Sequence, residues 1–316
     1  KRNRLLHKLM AAGKLSPDKC SLACSEPLPS APVPLPSHAM HLVDKLAAEN
    51  KGEYIRTDID LNLQRRIEEI LARKNAELAA EGIGDLAAIV MEVSEGKVIA
   101  YCGNAAPERK RPGVNVDIAR APRSSGSILK PFLYCDALGD GALLPYSLIA
   151  DTPVNINGFT PQNYNMTYEG AVPAAEALSR SLNVPCVHLL KSYGVEKFME
   201  NLKARGLTTL TRSASDYGLS LILGGGECRL DEVTAAYAEM AREYLSEKAG
   251  RDDKIALYYT FDALKDVNRP DEIDWHMIRS VRKVAWKTGT SYGYRDAWAV
   301  GVTPTYAVGV WAGNAS

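Results

Sequence analysis

The amino-acid pattern predicts an α/β protein of the α+β type: one five-stranded antiparallel sheet with a helical subdomain inserted into it. Three observations carry that expectation. Two apolar runs of strand length, residues 86–93 and 98–102, lie early and are joined by a turn at Glu95-Gly96. Three more, residues 284–291, 297–302 and 306–311, lie late. Between them, from about residue 127 to 279, the apolar spacing is mostly helical, as in 174–190, 195–205 and 230–244. Strands from both ends of a domain then meet in one sheet around a helical block.

The elements follow in order. Residues 2–23 have helical periodicity, with Leu5, Leu6, Leu9, Met10 and Leu15 on one side. Ser16-Pro17 reads as an N-cap followed by proline at the first helical position. Residues 27–36, PLPSAPVPLP, hold five prolines in ten positions, which favours an extended linker. The domain proper is expected from residue 51. Residues 57–60 lead into an amphipathic helix carrying Leu63, Ile67, Ile70, Leu71 and Leu78, which should stop near Gly82-Ile83-Gly84. No internal repeat is visible.

Composition excludes some classes. With 316 residues and 46% hydrophobic content, the chain can bury a sizeable core. Lys and Arg balance Asp and Glu at 38 each, so no global field favours nucleic acid or an anionic membrane. No run is long and apolar enough for a membrane span, and the first residues lack the apolar core of a signal peptide. The six cysteines, Cys20, Cys24, Cys102, Cys135, Cys186 and Cys228, are scattered and read as buried or half-buried thiols rather than a metal site. His188 lies in an apolar stretch and reads as a satisfied core residue.

The chemistry is carried by short motifs. Ser127 and Lys130 sit three residues apart at what reads as a helix start, so one helix face would hold a hydroxyl beside an amine. A serine is a useful nucleophile only beside such a base. The spacing alone is weak: Ser16 to Lys19 and Ser94 to Lys97 repeat it, one as a helix cap and the other as a hairpin turn. Two further motifs decide the matter. Ser181-Leu182-Asn183 is the only Ser-x-Asn, and Lys287-Thr288-Gly289 the only Lys-Thr-Gly. Without the others, Ser181 to Asn183 would read as a helix end, because Pro185 follows closely.

The three motifs in this order, with the flanking words RSSGSILKPFLY, GFTPQNYN, EALSRSLNVP and AWKTGTSYGYRDAWAVG, resemble the transpeptidase domain of class A penicillin-binding proteins from about Tyr54 onward. Ser125 and Ile128 replace a proline and a threonine expected of the best-matching subtype. The resemblance implies the penicillin-binding-protein and serine β-lactamase fold, and an opening segment, residues 1–50, that is the tail of a glycosyltransferase domain plus linker. It implies a closing helix after residue 316, an upstream membrane anchor, and a place on the extracytoplasmic (periplasmic) face of a bacterial inner membrane.

It also implies acyl transfer from a D-Ala-D-Ala stem peptide to a neighbouring amine, with β-lactams as covalent acylating ligands and no cofactor or metal. Ser127 is the expected nucleophile and Lys130 its base, made neutral by burial and by Lys287 as a second cation. Ser181 would relay a proton, and Asn183 would hold the lysine and a substrate carbonyl. Lys287, Thr288 and Thr290 suit the terminal carboxylate, and Gly289 would let an acyl group lie close to the strand. The N–H groups of Ser127 and Thr290 would form an oxyanion hole. Asn163 is expected to bind substrate, and supporting the loop explains it as well. Gly224-Gly225-Gly226 matches another cleft-side segment. A β-lactamase is disfavoured because no matching water-activating glutamate follows the second motif. A DD-carboxypeptidase shares the same residues, and a penicillin sensor or scaffold would differ only in turnover or acylation.

Overall fold

The computed structural model describes residues 1–27, 37–105, 113–267 and 284–315. Most of the proline-rich segment and the end of the expected helical block lie outside these residues. The chain divides into two compact units, Lys1–Ser37 and His38–Ser316.

In the first unit the expected single helix is two. Helix α1 (Arg2–Ala11) ends before Gly13, whose φ of 68° turns the chain. Helix α2 (Pro17–Ser25) starts at the cap read from sequence, with Ser16 Oγ accepting from the Lys19 N–H at 3.4 Å. Arg2 donates to the Glu26 and Cys24 carbonyls, at 2.8 and 2.9 Å, and so covers the end of α2.

The second unit begins at His38, earlier than the boundary expected at residue 51. Helix α3 (Met40–Glu49) belongs to it because Glu68 holds its entry: the carboxylate meets His38 Nδ1 at 2.7 Å and the Ala39 N–H at 2.9 Å. Helix α4 (Leu61–Ala79) is capped by Asp60, which accepts from the Asn62 and Leu63 N–H groups. Of its expected apolar stripe Leu71 is buried, whereas Ile70 is 41% exposed and leaves the stripe.

Strands β1 (Asp85–Glu92) and β2 (Val98–Cys102) form the expected hairpin. After them come β3 (Arg123–Ser124), α5 (Lys130–Gly139), β4 (Leu148–Asp151), β5 (Gly170–Pro173), α6 (Ala174–Ser179) and α7 (Asn183–Tyr193). Next are α8 (Val195–Ala204), α9 (Ala214–Tyr217), β6 (Glu227–Cys228), α10 (Leu230–Leu245) and α11 (Arg251–Lys265). Strands β7 (Ala285–Thr290), β8 (Asp296–Val302) and β9 (Tyr306–Gly313) close the described fold. The five-stranded sheet is antiparallel in the order β2-β1-β9-β8-β7, so its early and late strands meet at the β1–β9 pair. The two-residue and four-residue ribbons β3–β6 and β4–β5 were not visible in the apolar pattern.

Strand alternation sorts the core. Leu86 and Ala88 point to one face, where Leu71 and Cys102 join them, while Ala87, Ile89 and Met91 point to the other. That second face carries the main core, with Phe132 and Leu133 of α5, Tyr237 of α10, Trp298 of β8 and Trp311 of β9. The outer edge of β2 is covered by Gln64, whose amide pairs with both the N–H and the C=O of Tyr101 at 2.8 Å. All six cysteines are unbridged, Cys24 half-buried and the others buried. His188 lies on α7, yet its Nε2 is enclosed without a hydrogen-bond partner among the described residues, so it is not the satisfied core histidine expected.

Candidate active site

Ser127 lies in the tight turn before α5 rather than on the helix, and Lys130 is the first residue of that helix. Two glycines dock this turn on the edge strand. Gly126 has φ +52°, and a Cβ there would lie 2.7 Å from the Thr290 N and O atoms. A Cβ on Gly289 would lie 2.8 Å from the Ser125 carbonyl oxygen and 3.1 Å from the Ile128 nitrogen. Backbone thus meets backbone, and Ser127 is held against β7. The close approach permitted by Gly289 is to this turn, which corrects the expectation that its open side faces an acyl group. From the other side Trp298 Nε1 donates to the Ser124 carbonyl at 2.8 Å, Ser124 Oγ to the Gly224 carbonyl at 2.7 Å, and the Ser125 N–H to the Gly226 carbonyl at 3.0 Å.

The second motif is built by a helix end. The Leu182 N–H donates to the Ala177 carbonyl at 2.9 Å and the Ser181 N–H to the Leu178 carbonyl at 3.0 Å, with Ala177 and Leu182 packed together. That is a Schellman closure, in which the left-handed position normally taken by glycine is filled by Ser181 at φ +57°. The reading of this segment as a helix end is therefore also true, and the closure presents the Ser181 hydroxyl and carbonyl to the first motif.

Lys130 Nζ meets those groups. It donates to the Ser181 carbonyl at 2.8 Å, the Leu182 carbonyl at 3.2 Å and Asn183 Oδ1 at 2.7 Å, and lies 3.5 Å from Ser181 Oγ. Among the described residues no hydrogen bond joins it to Ser127 Oγ, because Ser127 precedes the helix and the shared face expected from the spacing does not form. Lys287 Nζ donates to Ser181 Oγ at 2.7 Å and to the Thr288 carbonyl at 2.7 Å. One hydroxyl therefore lies between two amines.

Both lysines are 1% exposed, and no carboxylate pairs with either among the described residues. Burial favours the neutral amine, bringing Lys130 down to about 8 and Lys287 down to about 7. For Lys287 the charge of Lys130 is the next cause. The repulsion is mutual, so the pair releases a proton more readily than an isolated lysine. The Cys186 thiol beneath them is pushed up by burial and stays neutral.

Along β7 the alternation puts Lys287 and Gly289 on the inward side, while Thr288 is half-buried and Thr290 exposed. Thr288 lines a cleft of about 340 Å³ with Ser181, Lys287, Tyr164 and Arg180. Asn163 is not in that cleft. It is 2% exposed, and its Oδ1 accepts from the Asn183 and Val184 N–H groups at 3.0 and 3.1 Å. Its Nδ2 donates to Asp151 and to the Thr167 carbonyl. Asn163 caps α7 from outside the helix, which corrects its expected placement against substrate. Asp151 went unnoticed in the sequence because it lies in none of the quoted words; Gly126 and Trp298 lie within them, but their contacts with Thr290 and Ser124 cross large separations in the chain.

The fold and this constellation define a penicillin-binding protein transpeptidase domain. Residues 86–217, which contain the first two motifs, match the family described as the penicillin binding protein transpeptidase domain and belong to it. The chain is similar to penicillin-binding protein 1C of Escherichia coli (strain K12), with 33% identity over 99% of this chain and 42% of that protein. It is 25% identical to penicillin-binding protein 1F of Bacillus subtilis (strain 168), over 83% of this chain and 40% of the relative. The chain thus spans about two fifths of the length of these curated relatives. Among solved structures it resembles the penicillin-binding protein PonA1 from Mycobacterium tuberculosis (TM-score 0.69, 20% identity, 88% of this chain and 84% of that one), which has also been solved in complex with penicillin V. It also resembles penicillin-binding protein 1A from Haemophilus influenzae, with TM-score 0.70 and 14% identity over 99% of this chain and 71% of that one. These structural likenesses concern the fold.

Proposed function

We propose that this domain is a serine DD-transpeptidase of cell-wall synthesis, acting on D-Ala-D-Ala stem peptides and acylated by β-lactams at Ser127. The observation that carries this reading is the Ser181 hydroxyl lying between Lys130 and Lys287 beside the docked Ser127 turn. Neutral Lys130 takes the Ser127 proton as Oγ attacks the penultimate D-Ala carbonyl carbon. Apo contacts of this kind are often long and tighten only with substrate bound. The negative oxygen is met by the Ser127 and Thr290 N–H groups, each donor worth about 3 kcal/mol. As the C–N bond breaks, the leaving D-Ala amine takes its proton from the Ser181 hydroxyl, which is resupplied from the protonated lysines. A neighbouring stem's amine then attacks the Ser127 ester by the reverse path, closing a cross-link and restoring the serine.

The cleft beside Thr288, Thr290 and Lys287 suits the terminal carboxylate, and Asn183 suits a substrate carbonyl while it holds Lys130. The penicillin V complex of PonA1 supports β-lactams as ligands, and kinship supports stem peptides. By the same kinship we place the domain on the extracytoplasmic face of a bacterial inner membrane. Residues 1–37 would be the tail of a glycosyltransferase domain and linker, with an anchor upstream. No described helix is long and apolar enough to cross a membrane.

Intact-mass measurement with a labelled penicillin tests this reading. One adduct per chain, lost in Ser127→Ala, is expected, and an adduct that survives in that variant would refute the assignment of the nucleophile. Release of D-Ala from a stem peptide with formation of the cross-linked dimer separates a transpeptidase from a carboxypeptidase or a sensor.

A further inference from the structure

We propose that Asp151 is a positioning residue for acyl transfer, acting through Asn163 to fix the start of α7 and with it the Ser181–Asn183 segment that holds Lys130. The inference rests on the transpeptidase reading above.

Asp151 is the last residue of β4, 1% exposed, and accepts from Asn163 Nδ2 at 2.7 Å and from the Glu169 N–H at 2.9 Å. No cation pairs with it among the described residues. A buried carboxylate without a counter-cation is costly, and two N–H donors offset only part of that cost. Its chemistry does one thing that a neutral amide would not: both oxygens can only accept. The Asn163 nitrogen must therefore face Asp151, which leaves the Asn163 oxygen facing the Asn183 and Val184 N–H groups.

Those two N–H groups open α7, whose N-cap residue, Leu182, offers no side-chain acceptor. Asn163 is thus the cap, supplied from 20 residues upstream of Asn183. A second amide is oriented in the same way, because Asn183 Nδ2 donates to the Gln162 carbonyl at 2.9 Å, which turns Asn183 Oδ1 toward Lys130 Nζ at 2.7 Å. Each step fixes the next: Asp151 orients Asn163, residues 162 and 163 orient Asn183, and Asn183 holds the amine. The Thr167 carbonyl accepts from the same Nδ2 at 3.0 Å, so losing the Asp151 carboxylate removes the shorter of the two acceptor contacts that keep the Asn163 oxygen turned toward α7.

The test is a charge-preserving swap in the full-length protein, read as penicillin acylation. Asp151→Asn should lower the saturating acylation rate by about 10- to 100-fold, because small misplacements of catalytic groups have effects of that size. The half-saturating penicillin concentration should stay within about twofold, since no group lining the cleft has changed. Asn163→Asp alone should do the same or worse by setting two carboxylates together. The double variant D151N/N163D restores one donor and one acceptor between the two residues and still presents oxygen to α7, but leaves the Thr167 carbonyl without its donor, so its rate should recover only in part, to at least about threefold above that of N163D.

Wild-type acylation by D151N, or a swap no faster than N163D, overturns the proposal. The comparison with N163D stands even if D151N proves too unstable to purify. A wild-type protein that takes no penicillin at all refutes the underlying reading instead, and this inference falls with it.

Discussion

Of the stretches with the spacing Ser-x-x-Lys, residues 94–97 and residues 127–130 make the sharpest contrast. At residues 94–97 the serine and lysine lie in the β1–β2 hairpin, and Lys97 is exposed beside Glu95 and Asp58, whose carboxylates hold its ammonium above the ordinary lysine range. At residues 127–130 the lysine is 1% exposed, its partners are carbonyls and an amide oxygen, and a second buried amine lies across one hydroxyl from it. A lysine ringed by carboxylates is a cation at every physiological pH. One sealed among neutral acceptors beside another amine yields its proton near neutrality. The spacing brings a hydroxyl and an amine into one neighbourhood, and the surroundings decide whether that amine is a base.

The sharpest way to break this comparison is to exchange the serines. Ser127→Ala should lose all covalent penicillin labelling in an intact-mass assay, while Ser94→Ala labels like wild type; a variant at Ser94 that lost its label would place the chemistry in the wrong segment. The lysines come next. Lys130→Ala should slow acylation by about two to four orders of magnitude, the usual worth of a positioned base. Lys97→Ala should leave the rate unchanged and alter stability little, as for an exposed ion pair. Equal effects at the two lysines would mean that burial is not what distinguishes them.

A smaller effect concerns pH. A base that works as the neutral amine gives an acylation rate that rises with pH through its own ionisation, here across the interval from about 7 to about 8 set by the two lysines. Lys287→Gln removes one positive charge from beside Lys130. The lower edge of that interval, near 7, belongs to Lys287, so without it the rise in rate should follow Lys130 alone, near about 8, and so move to higher pH. A rise that stays in place would show that the second amine takes no part in that ionisation and serves only to hold Ser181.

How far the sequence foretold this site follows from which contacts are local. Ser127, Lys130, Ser181, Asn183 and Lys287 were recognisable because each carries its chemistry in a short string, and the five sheet strands because each is an apolar run of strand length. What was misjudged depends on contacts between distant segments. The direction of Lys130 could not be read from its spacing to Ser127, because the turn before α5 takes its shape from Gly126 and Gly289 pressing against each other's segments. Asn163 was expected against substrate, or else supporting its loop, because its segment resembles one near the cleft; α7 lacks its own cap and draws Asn163 inward. Ile70 fitted the helical period of α4 but falls at the margin of the buried stripe. Residues 38–50 seemed to continue the linker because the Glu68 contacts that hold them arrive from another helix.

The smallest predicted effect sets the two stretches against each other at the level of the backbone. The hairpin at 94–97 needs a left-handed residue and has Gly96 there, at φ +68°; the second motif needs one and has Ser181, at φ +57°. A residue with a Cβ in that region is strained by about 1–2 kcal/mol, and glycine gives back about 0.4–1 kcal/mol of this through its freer unfolded chain. Ser181→Gly should therefore stabilise the fold by about 0.5–1 kcal/mol, seen as a rise in Tm of about 2 °C for a domain of this size. The same substitution removes the hydroxyl between Lys130 and Lys287, so acylation should slow while stability improves. That opposition is the mark of strain held for function rather than for folding. Unchanged or lowered Tm in Ser181→Gly would mean that the hydrogen bond from Lys287 outweighs the backbone strain, and that the serine supports the fold as well as the reaction.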